Sequence, residues 1–150
     1  MISYIIDGNN LIGKIKSLMD LQIKNKQASR EKLVYMLDRY FSGKKYVVTL
    51  HLDGHQNGKI NSSVMKIIYS EKLSADEKIK DQIERTASRK NTVVITSDSN
   101  IAEFARVCSC KIISSEEFAS MIRNMNKGDD EENRIKQMNN DEFIKLFNPE

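Results

Sequence analysis

The sequence predicts an α/β fold in which a parallel five-stranded sheet lies between two layers of helices. First, short apolar runs typical of buried strands alternate with segments whose apolar residues recur at helical spacing. Second, strands separated by helices pair in parallel through right-handed crossovers, which produces a three-layer α/β/α sandwich. Third, three of these runs end on or just before an aspartate, at the sheet edge where α/β proteins bind ligands.

Five segments are rich in β-branched and apolar residues and are bounded by turn formers, so we expect them to be strands. They are Tyr4–Asp7, Tyr46–Leu52, Val64–Tyr69, Thr92–Thr96 and Lys111–Ile113. Gly8 follows the first strand and is expected to let the backbone bend sharply there.

Five helices are predicted from the spacing of their apolar residues. In chain order, their apolar faces carry Leu11, Ile12, Ile15, Leu18 and Met19; Leu33, Leu37, Tyr40 and Phe41; Ile79, Ile83 and Ala87; Ile101, Phe104, Ala105 and Cys108; and Phe118, Met121, Ile122 and Met125. We expect the polar stretch Gln22–Ser29 to separate the first two helices, and Ser42-Gly43 to end the second. Capping-box spacings mark the starts of the third and fifth helices, at Ser74 and Ser114.

The composition is that of an ordinary globular domain. With 150 residues, 39% of them hydrophobic, the chain can bury one core. No apolar stretch approaches the roughly 20 residues that span a bilayer, and the N-terminus lacks the features of a signal peptide, so we expect a cytoplasmic protein. The two cysteines, Cys108 and Cys110, are too close together to close a loop and too few for a zinc site, and are expected to be reduced thiols.

Charge divides the chain into a basic body and an acidic end. Residues 1–125 contain 20 Lys and Arg against 14 Asp and Glu, net +6, whereas residues 126–150 contain 4 against 7, net −3. A basic body suits a polyanion such as nucleic acid, although a lysine-rich solvated surface has the same composition. We expect a domain at 1–125, followed by an acidic linker and a short amphipathic helical tail at 126–150.

Four aspartates from distant parts of the sequence are predicted to meet at one edge of the sheet. Asp7, Asp53 and Asp98 lie at the ends of predicted strands, and Asp76 lies in the first turn of the third helix. Without a counter-ion such a cluster would repel itself and raise its own pKa values. Mg²⁺ or Mn²⁺, which prefer carboxylate and water oxygens, would relieve the repulsion and support phosphodiester hydrolysis. The pattern indicates a metal-dependent nuclease site.

Most of these acids also have a structural explanation. Asp53 with the following glycine forms a common turn, Asp76 is favoured in a first helical turn by the helix dipole, and Asp98 can cap the helix after it. Asp7 is harder to explain in this way, because Asn9-Asn10 supplies amides suited to orienting a carboxylate or contacting a phosphate. The nuclease interpretation therefore depends on the joint pattern.

Four motifs stand in a fixed order along the chain. They are Ile6-Asp7-Gly8-Asn9-Asn10-Leu11-Ile12, Leu52-Asp53-Gly54-His55, Ser74-Ala75-Asp76-Glu77-Lys78-Ile79 and Val94-Ile95-Thr96-Ser97-Asp98. Together they resemble the YacP-type NYN domain of the PIN-like nuclease superfamily, over residues from about Ile2 to Ile122. The combination is specific, although no single motif is.

The resemblance implies a PIN-like fold with strand order 3-2-1-4-5 and metal-dependent endonucleolytic cleavage of RNA. It implies that Asp7, Asp76 and Asp98 are catalytic acids, with Asn10 beside them. The implied metal ligands are these three acids and Asp53, and the implied cofactor is Mg²⁺ or Mn²⁺. Because the group includes a bacterial ribosome-associated endoribonuclease, the implied partners are RNA and the ribosome.

Candidate RNA contacts are polar residues near the predicted site. They are Asn9, Lys14, His55, Lys80, Arg85 and Ser97, with Arg30, Lys59 and Arg89 as further basic residues. His51 lies within an apolar strand and is expected to be a structural residue.

Two alternatives to the endoribonuclease stay open. Lys80 stands where the family usually has an acid, which favours an RNA- or ribosome-binding module without cleavage as the first alternative. A nucleotide or phosphate-ester enzyme ranks lower, because no glycine-rich phosphate loop follows the first strand. Within the nuclease interpretation, DNA is open as a substrate.

Overall fold

The computed structural model describes residues 1–125, and the predicted linker and tail at 126–150 lie outside that part of the chain. One sheet contains β1 (Ser3–Asp7), β2 (Val47–Leu52), β3 (Met65–Tyr69), β4 (Thr92–Ile95) and β5 (Lys111–Ile113). All its strand pairs are parallel and its order is β3-β2-β1-β4-β5. The predicted fold class and strand order are confirmed, and β1 is the central strand.

Helices connect the strands, except that a loop at 53–64 joins β2 to β3. The helices are α1 (Gly8–Ile12), α2 (Lys16–Lys24), α3 (Lys26–Phe41), α4 (Ala75–Arg85), α5 (Ser99–Val107) and α6 (115–125), with a 3-10 turn at Arg89–Asn91. Within residues 1–125, no helix is both long enough and apolar enough to span a bilayer. The candidate site lies within one compact unit, Met1–Ala119.

The region between β1 and β2 differs from the sequence prediction. Three helices occupy it instead of two, because the chain leaves helical geometry after Ile12 and resumes at Lys16. The stretch Gln22–Ser29, predicted to be a connector, is helical except at Asn25. The Asn25 side chain accepts the backbone N–H of Ala28 at 3.1 Å and so caps α3, which allows that helix to begin at Lys26.

The two faces of the sheet have separate apolar layers. On one face, Phe41 of α3 lies 5.1 Å from Tyr4 and 6.1 Å from Phe118, measured between ring centroids. On the other face, Ile5 joins a buried cluster that includes Ile79 of α4. Since side chains alternate along a strand, Asp7 lies on the same face as Ile5, and its carboxyl is buried there.

Gly8 is required by close packing and not by a special backbone conformation. A Cβ atom at this position would lie 2.6 Å from the carbonyl oxygen of His51 and 2.8 Å from Cδ2 of Leu52. Its φ is not positive, unlike those of Gly43, Gly54 and Gly58. The glycine therefore brings the start of α1 against the end of β2, which places Asp7 beside the neighbouring strand.

Candidate active site

Asp7 is the last residue of the central strand and is only 6% exposed. Thr96 donates a hydrogen bond from Oγ1 to Asp7 Oδ2 at 2.9 Å. The pKa of Asp7 is raised to about 6: burial is the largest cause and the charges of Asp98 and Asp53 add to it, while hydrogen bonds from Thr96 and the Asn10 backbone oppose the rise. Three of the four predicted acids therefore interact at one edge of the sheet.

Asp98 follows β4 and caps α5. Its Oδ1 accepts the backbone N–H groups of Asn100 at 2.9 Å and Ile101 at 3.1 Å, as expected for an N-cap residue. The Asp98 N–H donates to Thr96 Oγ1 at 3.0 Å, so the Thr96 hydroxyl bridges Asp7 and Asp98. Within residues 1–125, Asp98 Oδ2 makes no hydrogen bond, which leaves this oxygen available to a ligand.

Asp53 follows β2 and ties three elements together. Its Oδ1 accepts hydrogen bonds from Ser70 Oγ at 3.2 Å and from the Ala75 N–H at 3.1 Å. Its own N–H donates to Asn9 Oδ1 at 2.8 Å. Asp53 thereby fixes the ends of β2 and β3 and the start of α4 around the same edge.

Asp76 lies in the first turn of α4, directly after Ala75. The capping box predicted from Ser74 and Glu77 is present, so the start of this helix is well defined. Lys80 Nζ lies 3.1 Å from Asp76 Oδ1, one turn along the helix. This lysine therefore offsets the charge of one of the predicted acids, and the buried Asp76 Oδ1 has the Lys80 ammonium as its partner.

Asn9 and Asn10 join the acids to one another. Asn9 accepts from the Asp53 backbone, whereas Asn10 Oδ1 accepts the Ser97 N–H at 2.9 Å and the Ser115 hydroxyl at 2.7 Å. The two amides from one turn of α1 therefore hold the chain segments that carry Asp53 and Asp98. Both oxygens are occupied by protein donors, which gives these residues a positioning role.

The sequence profile of the YacP-like NYN domain matches residues 4–147. The chain belongs to this family. Its fold is similar to the crystal structure of Rae1 (YacP) from Bacillus subtilis, with a TM-score of 0.68 and 24% identity over 98% of this chain and 92% of that chain. A mutant of the same protein gives a TM-score of 0.72 and 22% identity over 93% and 84%. No curated protein matches the chain.

Membership of the YacP-like NYN family supports a nuclease-like function connected with RNA. The buried Asp7 and its two acidic neighbours are consistent with that role. Asp76 differs from these acids, because a lysine of the same helix, Lys80, offsets its charge.

A network of polar side chains lies beside the acids of this NYN domain. Ser97 donates its hydroxyl hydrogen to Glu116 Oε2, and Lys14 Nζ lies 2.9 Å from Glu116 Oε1. These two contacts, the Ser97 hydrogen bond foremost, lower the pKa of Glu116 to about 2. The sequence analysis named Lys14 and Ser97 as candidate RNA contacts but missed Glu116.

Three other predicted contacts lie in different settings. His55 is exposed, and its carbonyl oxygen accepts a hydrogen bond from Arg30 Nη1 at 3.0 Å. Arg85 pairs with Asp81 at 3.3 Å in the last turn of α4, nine residues beyond Asp76 and so about 14 Å along the helix. The structure therefore separates Arg85 from the acids and uses Arg30 to anchor a loop.

His51 lies on β2 beneath α4. Its Nε2 lies 2.6 Å from Gln82 Oε1, and Gln82 Nε2 donates to Thr49 Oγ1 at 3.1 Å, so the proton lies on Nε2. Burial lowers the pKa of His51, the charge of Lys78 also lowers it, and the hydrogen bond with Gln82 opposes them. A neutral His51 held in this way belongs to the packing of α4 on the sheet.

Two carboxylates of the site, those of Asp7 and Asp98, have the chemistry to hold a hard divalent cation. Among residues 1–125, no group of three or more His, Cys, Asp or Glu is close enough to hold a metal ion. Mg²⁺ commonly binds through one or two carboxylates and keeps several waters. The raised pKa of Asp7, caused mainly by burial and also by the charges of Asp98 and Asp53, and the unused Oδ2 of Asp98 fit a cation held in this manner.

Proposed function

We propose that the protein is a divalent-metal-dependent endoribonuclease that hydrolyses RNA phosphodiester bonds. The observation that carries this proposal is the buried Asp7 at the end of the central strand, whose pKa is raised to about 6 by burial and by Asp98 and Asp53. Such a carboxyl group weakens the fold at neutral pH unless a cation is present, and perturbed acids of this kind cluster at functional sites.

The acidic residues at the end of the sheet have different roles in this proposal. We define the acid edge as Asp7, Asp53 and Asp98. Asp7 and Asp98 would hold the cation, Thr96 fixes their relative position, and Asp53 sets the start of α4. When bound, Mg²⁺ or Mn²⁺ promotes ionisation of water and offsets the charge that develops on a phosphodiester under attack. Because water and cation supply the base and the Lewis acid, no histidine is needed at this edge.

The substrate class follows from the family and the charge of the body. A net charge of +6 over residues 1–125 favours a polyanion, and the YacP-like NYN family supports an RNA-related role. We propose RNA as the substrate, with the ribosome as a site of action and the cytoplasm as the location. In this proposal Asp76 is the fourth acid, paired with Lys80, and Asn10 is a positioning residue that holds the segment before Asp98.

The direct test is cleavage of defined RNAs. Single-stranded RNA, structured RNA and a DNA of the same sequence are incubated with the protein in Mn²⁺, Mg²⁺ or EDTA, and the new ends are mapped. The variants are Asp7→Asn and, as a matched control, Asp20→Asn on the exposed face of α2. We expect RNA cleavage that needs metal, survives in Asp20→Asn and is lost in Asp7→Asn. Cleavage in EDTA, or equal cleavage by both variants, would contradict the proposal.

The Lys80–Asp76 ion pair favours a second candidate, an RNA- or ribosome-binding module without cleavage. In that case the wild type binds RNA and shows no metal-dependent cleavage, even when ribosomes are added. Lys80→Glu restores the acid usual in the family and frees Asp76 from its cation. Cleavage that appears in Lys80→Glu and is absent from the wild type would select this second function.

A further inference from the structure

A cavity of about 330 Å³ lies beside the outer edge of the sheet, between β3 and the loop that follows β2. Met65, Ile67 and Tyr69 line it from β3, and Gln56, Lys59 and Asn61 line it from the loop. We call this cavity the β3 pocket. Its volume is at the lower end of the roughly 300–1,000 Å³ found for small-ligand sites, so it suits one small planar group and not a nucleic-acid duplex.

The loop side of the β3 pocket is held by α3. Arg30, only 2% exposed, donates from its guanidinium to the carbonyl oxygens of Asp53 and His55. Gln27 Nε2 donates to the Gly58 carbonyl at 3.4 Å, farther along the same loop.

The far end of the loop is fixed as well. Ser62 Oγ donates to Asp38 Oδ1 at 2.6 Å and accepts the backbone N–H groups of Val64 and Met65. The loop is therefore attached to α3 near its start, middle and end. A pocket formed in this way exists before a ligand binds, which lowers the entropy cost of binding.

The lining of the pocket has the chemistry that recognises an unpaired base. Within residues 1–125, the side chains of Gln56, Lys59 and Asn61 take part in no hydrogen bond or ion pair, so their polar groups are unused by the fold. Amide side chains can read the edge of a base, and an aromatic ring can stack on its face. Tyr69 supplies such a ring, and the guanidinium carbon of Arg30 lies 5.4 Å from its centroid, which helps to fix it.

The pocket is close to the acid edge along the chain. Tyr69 is the last residue of β3, and Ser70, one Cα–Cα step of about 3.8 Å further on, donates its hydroxyl hydrogen to Asp53. Asp53 also begins the loop that carries the other lining residues. A nucleotide whose base entered the pocket would therefore have its backbone near Asp53.

We propose that the β3 pocket binds one unpaired base of a single-stranded RNA whose backbone passes Asp53 towards the acid edge. Tyr69 stacks on the base, Asn61 and Gln56 contact its edge, and Lys59 contacts the neighbouring phosphate. The pocket then sets the cleavage position by selecting one base. This inference rests on the proposed endoribonuclease function, since it names the substrate feature that the same site selects.

The test measures binding and cleavage separately. Binding is followed by fluorescence anisotropy in EDTA, with short single-stranded RNAs in which each position in turn is abasic. The variants are Tyr69→Leu, Tyr69→Phe, Asn61→Ala and Lys59→Met, with Lys66→Met as the matched control. Lys66 is an exposed lysine on the same strand whose side chain lies on the opposite face, so both lysine variants lose one charge but only one alters the pocket. Circular dichroism confirms that each variant is folded.

We expect the wild type to bind about 5- to 50-fold more weakly when one particular position is abasic. Tyr69→Leu should remove that sensitivity, Tyr69→Phe should keep it, and Asn61→Ala should reduce the preference for one base. Lys59→Met should weaken binding more than Lys66→Met does.

Two results would contradict the proposed base-binding pocket. They are an equal loss of binding for an abasic site at every RNA position, or equal effects of Tyr69→Leu and Lys66→Met on binding. Either can occur while metal-dependent cleavage stays intact, in which case the proposed function survives. Conversely, a position-specific effect on binding without any cleavage would support the base-binding pocket and contradict the proposed nuclease function. A wild type that binds no RNA would overturn both.

Discussion

Tyr4 and Asp7 lie only three positions apart near the two ends of β1, yet different forces act on them. At its start, Tyr4 packs 5.1 Å from Phe41 and 5.2 Å from Tyr46, within an aromatic cluster. At its end, Asp7 is buried beside the charges of Asp98 and Asp53. Burial of the rings stabilises the fold, whereas burial of an ionised carboxyl destabilises it. The comparison separates a part of β1 whose burial stabilises the fold from a part whose burial opposes it.

The largest expected effect is in the aromatic cluster. Phe41 is fully buried and contacts rings from Tyr4, Tyr40 and Phe118. Phe41→Ala should lower the free energy of unfolding by about 3–5 kcal/mol, because it removes a large side chain and leaves a cavity. Urea unfolding measures the change. A loss below about 1 kcal/mol would show that the cluster does not hold this face of the sheet together.

The acid edge should respond with the opposite sign. The pKa of Asp7 rises from 3.8 to about 6 on folding, so above pH 6 the folded state carries an ionised group that it disfavours. At 1.36 kcal/mol per pKa unit, Asp7→Asn should raise the free energy of unfolding by up to roughly 3 kcal/mol at pH 7.5 in EDTA. Urea unfolding of Asp20→Asn, expected to change by less than about 0.5 kcal/mol, is the control.

Arg30 connects the two regions, because it reaches from α3 to the loop that starts at Asp53. Arg30→Met leaves the carbonyl oxygens of Asp53 and His55 without their donors and should cost about 1–3 kcal/mol. RNA cleavage should also fall, since Asp53 then loses its fixed position. Lys32→Met, at an exposed position on the same helix, should change neither quantity. Unchanged cleavage by Arg30→Met would show that the loop positions itself without this arginine.

The smallest effect is a pH dependence in which His51 and Asp7 oppose each other. Folding lowers the pKa of His51, so the folded state binds fewer protons than the unfolded state. His51 therefore makes the fold less stable as the pH falls below the ordinary histidine value of about 6.5. Asp7 acts oppositely, since its raised pKa makes the fold more stable as the pH falls through about 6. Melting temperatures from pH 8 to 5 should therefore decline more steeply in Asp7→Asn than in the wild type. A parallel decline would contradict one of the two shifts.

The sequence predicts the strands and the positions of the acids because both depend on local patterns. A β-branched run, a carboxylate and a glycine or amide adjoin each other at Asp7 and at Asp53, so their places at strand ends can be read directly. The break between α1 and α2 cannot, because the apolar residues keep their helical spacing across it. The start of α3 cannot either, because it depends on a cap by the Asn25 side chain within a polar stretch.

The hydrogen bonds that join distant segments at the site also cannot be predicted from local sequence patterns. Asn9 binds the Asp53 backbone 44 residues away, and Asn10 binds the Ser97 backbone 87 residues away. Thr96 had a usable signal, a hydroxyl directly after a strand and before Asp98, but its bridge to Asp7 spans 89 residues. Such contacts follow from strand order and register, which the sequence indicates only through its resemblance to a family.

The most direct test of the proposed site measures how Mn²⁺ changes the stability of two proteins. Urea unfolding of the wild type and of Asp7→Asn is compared at pH 7.5 in EDTA and in Mn²⁺. If the acid edge holds a cation, Asp7→Asn is the more stable protein in EDTA, and Mn²⁺ stabilises the wild type while leaving the variant unchanged. An Asp7→Asn protein that is less stable in EDTA, or an equal response of both proteins to Mn²⁺, would contradict this account.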